Sequence, residues 1–385
     1  MPAATRVLIG DAATYGDPAR VASHAFARAF LDDGARLCWI GAPLDPATLV
    51  RPGPDAQTRH RIQVWRRGGH CPDDRVFEYY PLTLLPVADH PALRTRFAVR
   101  HTLRATLPRM SAVVRRLGFQ EPEVLWLSTS RFAHALFPMR ARVRACRVSD
   151  DWAHHGRVPP ALIAAHDEMV DAADLVFVTS RGLKTNLRAR RPDAIYLPNG
   201  VSERFFASPG PEPALLSRFP HPRAVVVGRL DAWVDFDTIA RVGERNPGAS
   251  VLVIGPGLPA KRTYPANVHF TGPFPYAELP SLLGACDVGL VPFVRSELTH
   301  GVSPLKLFEY LASGLPVVAT RLDEIEATSP PALLCDTPDG FADAVASVLD
   351  GDPADRTARV AFAREHTWAK RFDVVKGALA TRGVA

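Results

Sequence analysis

The sequence has few cysteines and no long apolar run, and these shortages exclude several classes of protein. Its five cysteines are widely scattered and form no CxxC pair, so neither a disulfide framework nor a structural zinc site is expected. No apolar run approaches the roughly 18 residues needed to span a bilayer. Residues 1–10 lack the apolar core and cleavage site of a signal peptide. We therefore expect a cytoplasmic protein.

The sequence also lacks long polar repeats and an extreme composition. Of its 385 residues, 47% are hydrophobic and 22% are charged, which excludes wholesale disorder, collagen and coiled coil. The length favours two domains over one. The 36 prolines indicate many breaks between elements. This is the composition of an ordinary soluble α/β protein.

Acidic residues are scarce in one part of the first half. Residues 1–200 carry a formal net charge of +9, whereas residues 201–385 carry −3. No acidic residue lies between Asp89 and Glu121, and the apolar residues there recur at helical spacing. The pattern predicts a basic amphipathic helix that is interrupted or restarted near Pro108.

Such a helix has two equally good interpretations. It could contact an anionic membrane surface or a lipid diphosphate through Arg96, Arg100 and Arg104. It could equally be a solvated face packed on its own domain. Nucleic acid is a weaker third possibility, because zinc-finger spacing, an aromatic-basic RNA signature and a basic zipper are all missing, and we expect no such partner.

Short apolar runs alternate with helical patterns along most of the chain. Strands are predicted in the first half at 6–10, 37–40, 123–127, 145–149 and 174–179, and after a linker at 209–213 they are predicted at 224–227, 250–254, 268–271, 288–291 and 316–320. The alternation predicts two doubly wound α/β domains with parallel sheets and a ligand cleft between them. Residues 42–90 do not fit this pattern and are predicted to be an irregular insertion.

The most informative stretch is 297–320, ELTHGVSPLKLFEYLASGLPVVAT. Ser303 and Pro304 predict a helix start, with serine as the cap and proline in the first turn. A helix opened by Gly301, Val302 and Ser303 would present free backbone N–H groups and a partial positive charge. Both features favour a bound phosphate.

Two charged side chains follow in the same predicted helix. Lys306 lies in the first turn and can add a full positive charge. Glu309 lies one turn further along the same face, where its carboxylate could accept hydrogen bonds from ribose or sugar hydroxyls. Alone, the two residues could be an ordinary helical ion pair. Together with the helix start they describe a nucleotide-sugar site.

This stretch resembles the donor-binding segment of GT-B glycosyltransferases, especially bacterial exopolysaccharide and cell-wall enzymes of the xanthan glucuronosyltransferase and teichuronic-acid types. The resemblance continues in VVVGRLDAWVDFDTIA, VLVIGPG, NVHFTGPFPYAELPSLLGACDVGLVPF and PNGV. It implies a GT-B fold with an acceptor-binding Rossmann-like domain at 1–200, a nucleotide-sugar-binding domain at 201–366, and a helix at 367–385 that returns to the first domain. It further implies a UDP-type donor and no metal or other cofactor.

In the first half, RVSDDW (147–152) resembles the RxSD segment of the xanthan-type glucuronosyltransferases, which implies that Asp150 is the catalytic base. The stretch PARVASH (18–24) is similar to their PxRxxxH stretch and places His24 on the acceptor side. By its chemistry Asp150 suits a general base. It follows a predicted strand and should therefore project into the ligand cleft, where partial burial would raise its pKa. Alternatively, Asp150 or its neighbour caps the following helix.

His154 and His155 are candidate metal ligands by residue type alone. Neither has a carboxylate or cysteine at metal-ligand spacing, so no metal site is expected.

The chain departs from the retaining members of the family in two places. Those relatives usually carry two glutamates separated by seven residues, whereas Gly301 stands eight positions before Glu309. They also carry a lysine after the GR of the second domain, whereas Gly228 and Arg229 are followed by LDAWVDFD. The departures favour an inverting mechanism.

The remaining donor contacts follow from these departures. The diphosphate charge falls to Arg229, Lys306 and the helix start, and backbone groups near Phe274 are expected to contact the donor base. The sequence thus predicts transfer of a sugar to a lipid diphosphate-linked or polysaccharide-precursor acceptor, at the inner face of the membrane, in exopolysaccharide or cell-surface glycan synthesis. Three alternatives stay open: a retaining transferase, a nucleotide-sugar epimerase, or a catalytically silent donor-binding subunit.

Overall fold

A computed structural model describes residues 4–16, 22–85, 95–152, 158–351 and 355–384. The chain divides into two compact units. The first unit comprises Met1–Leu197 and Phe372–Ala385, and the second comprises Pro198–Arg371. Among the described residues, no helix is both long enough and apolar enough to cross a membrane.

The described residues of the first unit form ten strands. They are β1 (Arg6–Gly10), β2 (Arg36–Ile40), β3 (His70–Asp73), β4 (Val76–Tyr79), β5 (Leu82–Thr83), β6 (Thr106–Leu107), β7 (Val124–Leu127), β8 (Val143–Val148), β9 (Leu175–Val178) and β10 (Ile195–Tyr196). Eight of them form one sheet in the order β10-β9-β8-β7-β1-β2-β4-β3. Only β3 runs antiparallel to its neighbour, and β5 pairs with β6 separately. The strand order reverses between β1 and β7.

Helices cover the sheet because their apolar faces require burial. They are α1 (Ala22–Asp32), α2 (Pro46–Val50), α3 (Ala56–Arg66), α4 (Arg96–His101), α5 (Met110–Arg116), α6 (Ala133–Leu136), α7 (Pro160–Ala172) and α8 (Arg181–Leu187). In α1, Phe26 and Phe30 lie one turn apart and both contact the buried ring of Trp126 on β7. Phe372, near the chain end, packs edge-on against Phe30 with ring centroids 4.9 Å apart.

Two sequence expectations for this unit have different outcomes. Residues 42–85 are not an irregular insertion, because they contribute β4, which pairs in parallel with β2, and the edge strand β3. The expected interruption of the basic helix near Pro108 is confirmed, because α4 ends at His101 and α5 begins at Met110. The helical spacing does not hold between them, because Thr106 and Leu107 extend to pair with β5.

The second unit contains six strands in one parallel sheet. They are β11 (Arg223–Val227), β12 (Ser250–Ile254), β13 (Val268–Gly272), β14 (Val288–Val291), β15 (Val317–Thr320) and β16 (Leu333–Cys335). Their order is β13-β12-β11-β14-β15-β16, which is the Rossmann order 3-2-1-4-5-6. The four central strands are rich in valine, leucine and isoleucine and almost wholly buried, as a sheet covered on both faces requires, whereas the edge strands β13 and β16 are partly exposed.

The helices of this unit are α9 (Phe236–Arg245), α10 (Leu279–Gly284), α11 (Glu297–His300), α12 (Leu305–Ala312), α13 (Asp323–Glu326), α14 (Pro338–Asp350) and α15 (Arg356–Arg364). The last helix, α16 (Trp368–Ala380), begins in the second unit and continues in the first. The strand order of the sheet reverses between β11 and β14. In open α/β sheets, ligands bind beside the carboxyl ends of strands at such a reversal.

Candidate functional site

A pocket of about 90 Å³ lies at the strand-order reversal of the second unit. The carboxyl ends of β11 and β14 form its floor, the loop after β11 forms one wall, and the start of α12 closes it. Its lining includes Gly228, Arg229, Trp233, Pro292, Pro304 and Lys306. The volume is far below the roughly 300–1,000 Å³ of a site for a drug-sized ligand. By volume the pocket suits a group of phosphate size, and most of the remaining lining is apolar, with Arg229 and Lys306 as its charged side chains.

Glycines let the ends of β11 and β12 approach closely beside this pocket. Gly255 has φ +155°, and a Cβ atom there would lie 1.7 Å from the carbonyl oxygen of Gly228. The N–H of Gly228 donates to the carbonyl of Ile254 (2.9 Å). Any side chain at position 255 would push the loop after β11 away from its neighbour.

The loop after β11 is held down at its far end as well. The N–H of Asp235 donates to the carbonyl of Pro292, and the N–H of Val294 donates to the carbonyl of Trp233. These bonds tie the loop to the chain just beyond β14. The wall that carries Arg229 is thus fixed at both ends.

Lys306 and Glu309 form the helical ion pair that the sequence left open as an alternative, and a tyrosine completes it. Lys306 Nζ lies 2.5 Å from Glu309 Oε2, and the hydroxyl of Tyr276 donates to Glu309 Oε1 (2.9 Å). The Glu309 side chain is fully buried, whereas that of Lys306 is 22% exposed. Lys306 Nζ also lies 5.5 Å from the centre of the Tyr276 ring. The buried carboxylate therefore holds the lysine against the pocket wall.

Tyr310 connects the same helix to the sheet. Its hydroxyl accepts a hydrogen bond from the N–H of Val227, the last residue of β11 (2.8 Å). Burial raises the pKa of Tyr310, so the phenol stays protonated. The sequence analysis did not single out Tyr276 or Tyr310. For Tyr310, the available signal was its place one residue after Glu309 in the motif FEYLA.

The start of α12 differs from the prediction. Ser303 is not the cap, because its hydroxyl accepts from the N–H of Asn199 (3.3 Å) and its carbonyl accepts from the Asn199 side chain (2.6 Å). Pro304 takes the cap position without a side-chain bond.

The N–H groups of Gly301 and Val302 are not free, since both donate to the carbonyl of Thr299. Thr299 belongs to α11, and Gly301 and Val302 form the turn that ends this helix. Phe274 is half-buried and packs on the core under α12. None of these three residues lines the pocket.

The first unit places polar side chains at its own strand-order reversal. Asp11 follows β1 and is buried, and it accepts hydrogen bonds from the hydroxyl of Ser23 and from the N–H of Ala13 (2.7 Å). Ser23 Oγ also lies 2.8 Å from Ser128 Oγ, just beyond β7. Sequence reasoning missed this cluster. The signal that marked Asp150, an acid directly after a buried strand, was present for Asp11 too.

Asp150 lies two residues beyond the end of β8 and is exposed. Its carboxylate accepts from the hydroxyl of Ser149 (2.8 Å), and Asp151 accepts from the side chain of Asn186 on α8 (2.9 Å). Among the described helices, the next one begins at Pro160 with Pro159 as its cap. Asp150 therefore does not cap that helix.

A buried arginine lies between the two acidic positions. Arg147, on β8, is 5% exposed, and its guanidinium lies 5.5 Å from the centre of the Phe26 ring. Burial lowers the pKa of Arg147 to about 10, while the carboxylates of Asp150 and Asp11 raise it. Asp11 and Asp150 thus act on one buried cation at the carboxyl edge of the sheet.

The other predicted acceptor-side residues are distributed differently. His24 is buried, stacks on Trp39 at 5.0 Å, and its Nε2 donates to the carbonyl of Thr14 (2.9 Å). Arg96, Arg100 and Arg104 are exposed. Arg100 pairs with Glu168 (2.9 Å), and Arg104 Nε donates to the carbonyl of His134 (3.1 Å).

Metal-type clusters are not found in the described part of the chain: no three or more His, Cys, Asp or Glu side chains there could hold an ion. His154 and His155 lie outside the described residues, as do residues 18–21 of the PARVASH stretch.

Comparison with known proteins matches residues 221–351 to the family model described as Glycosyl transferases group 1. This segment contains all six strands of the second sheet together with Gly228, Arg229, Lys306 and Glu309. The chain is also similar to TuaH of Bacillus subtilis (strain 168), a candidate teichuronic acid biosynthesis glycosyltransferase, with 27% identity over 223 residues. That match covers 53% of this chain and 56% of the relative, so the chain spans about half the length of the curated relative it matches.

Solved structures show the same fold over almost the whole chain. A UDP-forming α,α-trehalose-phosphate synthase from Burkholderia xenovorans superposes with a TM-score of 0.65 at 13% identity, covering 99% of this chain and 100% of the other. A sucrose-phosphate synthase from Thermosynechococcus elongatus gives 0.64 at 15% identity, covering 98% and 97%. An E. coli structure bound with UDP-2-fluoro glucose gives 0.61 at 13% identity, covering 98% and 99%. The expected GT-B architecture of two Rossmann-like domains is confirmed.

Proposed function

We propose that this GT-B protein, whose residues 221–351 match the glycosyl transferases group 1 family, transfers a sugar from a nucleotide-sugar donor to an acceptor hydroxyl. The observation that carries the proposal is the pocket at the end of β11 and β14. It combines close backbone approach, the start of α12 and the side chains of Arg229 and Lys306. These are the features that bind and stabilise a diphosphate.

The donor is assigned to the second unit. The pocket takes one phosphate group, and the nucleoside extends along the carboxyl edge toward Gly255 and Phe274. UDP is the proposed nucleotide, supported by two fold neighbours, one of which is UDP-forming and one of which is bound with UDP-2-fluoro glucose. The sequence suggested that Glu309 accepts from ribose or sugar hydroxyls. Because its side chain is fully buried and bonded to Lys306 and Tyr276, we propose instead that it holds Lys306.

Asp150 is the proposed catalytic base. Its exposure leaves it open to an acceptor hydroxyl, and general-base catalysis contributes about 10²- to 10⁴-fold in rate. Arg229, Lys306 and the positive end of α12 would stabilise the charge that grows on the leaving diphosphate. We propose inversion of the anomeric centre, on the grounds that the chain lacks the glutamate pair of the retaining relatives.

A matched pair of variants tests the base. With a UDP-sugar and a polyprenyl diphosphate-linked saccharide as substrates, Asp150→Asn should lower turnover by about 10²-fold or more without changing donor affinity. Asp151→Asn, which alters the neighbouring carboxylate, should stay within a few-fold of wild type. Normal turnover in Asp150→Asn would show that another group takes the proton. NMR of the product's anomeric proton separates inversion from retention.

The acceptor is proposed to be a lipid diphosphate-linked saccharide or glycan precursor at the inner face of the membrane. The teichuronic acid name of the relative supports a glycan precursor. Around α4 and β5–β6, Leu84, Phe97 and Leu107 are at least half exposed beside Arg96. Exposed apolar and cationic side chains together suit an anionic membrane surface.

Vesicle binding tests this surface. Sedimentation with phosphatidylglycerol vesicles should fall as salt rises, and Phe97→Ser with Arg96→Gln should weaken it further. The control pair Val50→Ser with Arg51→Gln changes an equally exposed surface elsewhere. Binding that ignores both salt and the first pair would leave α4 as a packed surface helix.

A further inference from the structure

A second cationic site lies on the first unit, along α8. A groove of about 620 Å³ is lined by Arg181, Lys184, Thr185, Arg188, Pro192 and Tyr196, and we call it the α8 groove. Among the residues that the structure describes, the lining contains three cations and no carboxylate. Its volume is within the range of sites that hold a whole small ligand.

Helical spacing brings these cations to one face. Arg181, Lys184 and Arg188 stand at positions i, i+3 and i+7, so their side chains project along one stripe of the helix and the turn after it. Like charges at this spacing repel one another and destabilise the free protein. A bound anion would remove that repulsion.

Arginines just outside the groove are ion-paired, unlike two of the cations inside it. Arg190 is paired with Asp167 (3.0 Å) and Asp171 (2.5 Å), and Arg191 is paired with Asp193 (2.8 Å). Lys184 and Arg188, by comparison, make no ion pair with any residue that the structure describes. Among the described residues, carboxylates thus neutralise Arg190 and Arg191 outside the groove but not Lys184 and Arg188 inside it.

Tyr196 holds the guanidinium of Arg181 in place at one end of the groove. Arg181 Nη1 donates to the hydroxyl of Tyr196 (3.2 Å), and its guanidinium lies 4.8 Å from the centre of that ring. This contact fixes the planar guanidinium, whose paired N–H groups match phosphate oxygens. The Thr185 hydroxyl lies in the same lining.

Helix α8 connects the groove to the loop that carries the proposed base. Arg181 follows β9, which pairs with β8, and β8 leads into Asp150. Asn186, on the face of α8 turned away from Lys184 and Arg188, donates to Asp151 (2.9 Å). The groove and the loop of Asp150 thus contact different faces of the same helix.

We infer that the α8 groove binds a diphosphate ester, with Arg181, Lys184 and Arg188 contacting its oxygens. The inference rests on the proposed function in naming the acceptor's diphosphate as the occupant. The binding test therefore uses no donor and no measurement of transfer. Binding without transfer would uphold the groove while the proposed function fails, and transfer without groove binding would do the reverse.

Calorimetry with geranyl diphosphate tests the groove on the full chain carrying Lys306→Ala, which weakens the competing donor pocket. Adding Lys184→Gln and Arg188→Gln should weaken binding by at least about tenfold. The control addition, Arg51→Gln with Arg115→Gln, removes the same charge from exposed positions elsewhere and should change it less than about twofold. Equal affinity in the groove variant, or an equal loss in the control, would overturn the proposal.

Inorganic pyrophosphate separates an ester from free diphosphate. We expect it to bind more weakly than geranyl diphosphate, because it lacks the organic group that would fill the rest of the groove. Pyrophosphate binding as tight as the ester, or tighter, would overturn the assignment to an ester. Thermal unfolding of the variants at or above the wild-type temperature would confirm that any lost binding is local.

Discussion

The two sheets reverse their strand order in the same way, yet their side chains use the reversal differently. In the second unit the ends of β11 and β14 leave a pocket edged by Gly228, Arg229 and Lys306. In the first unit the ends of β1 and β7 are filled by Asp11 and its serine partners. The fold supplies the same edge twice, and the residues that follow each strand decide what the edge can do.

The difference follows from what each strand end must hold. Glycine after β11 and β12 brings backbone close to backbone and leaves room for a phosphate oxygen. An aspartate after β1 instead forms internal hydrogen bonds and balances the buried cation of Arg147. The glycine-edged pocket of the second unit therefore suits an anionic ligand, whereas the aspartate cluster of the first unit suits a ligand that carries hydroxyl groups. Changes at these positions should therefore have distinct effects in the two units.

The largest stability effect should come from Gly255→Ala, which fills the close approach of the second unit. A Cβ there meets the Gly228 carbonyl at 1.7 Å, so we expect a loss of about 3 kcal/mol in the free energy of unfolding. A Cβ atom at Gly248 would meet no heavy atom within 4 Å, so Gly248→Ala should lower the free energy of unfolding by less than about 1 kcal/mol. Urea unfolding of both variants checks this. Equal losses would mean that the approach is not a constraint.

Asp11→Ala tests the filled edge of the first unit. It removes the acceptor of the Ser23 and Ala13 hydrogen bonds and one of two carboxylates that offset Arg147. We expect unfolding to become easier by about 2 kcal/mol, without a change in nucleotide affinity. Ser128→Ala should cost about 1 kcal/mol. A weaker donor affinity in Asp11→Ala would break the distinction between the two edges.

Tyr276→Phe probes the support behind Lys306. The variant loses one hydrogen bond to the buried Glu309 and should reduce stability by about 1 kcal/mol, with weaker nucleoside diphosphate binding. Tyr264→Phe removes a hydroxyl that bonds only the exposed carbonyl of Ala260, and should change stability by a few tenths. Equal stability and equal nucleoside diphosphate affinity in the two variants would show that Tyr276 does not position Lys306.

The smallest effect concerns pH and the first unit. Burial lowers the pKa of His166, which stacks on Trp152. The unfolded chain therefore binds a proton more readily than the native one near the ordinary histidine pKa of about 6.5. Stability should fall as pH is lowered from 7.5 to 5.5. His166→Phe should flatten that fall, and an unchanged slope would assign it to other groups.

Much of the fold could be predicted because the strands are short, apolar and regularly spaced. The strands at 6–10, 250–254 and 288–291 match the structure residue for residue. β4 was missed because Glu78 interrupts its apolar pattern. That buried carboxylate is satisfied by His60, His70 and Tyr80, which lie up to 18 residues away. No local rule reveals such partners.

The site was predictable in part for the same reason. Lys306 and Glu309 could be paired from helical spacing, and the structure brings them together. The start of α12 could not be predicted, because Asn199 lies 104 residues from Ser303 and withdraws it from the cap. The cluster at Asp11 depends on Ser128, which is equally remote in sequence.

Calorimetric titration of UDP into wild type and Lys306→Ala tests the central claim most directly. Lys306 lines the pocket and is held there by Glu309. A charge-assisted contact to phosphate contributes about 1.5–3 kcal/mol, so the variant should bind UDP about 10- to 100-fold more weakly. The same affinity in both proteins, or no binding of any nucleoside diphosphate to wild type, would contradict a donor site at the end of β11.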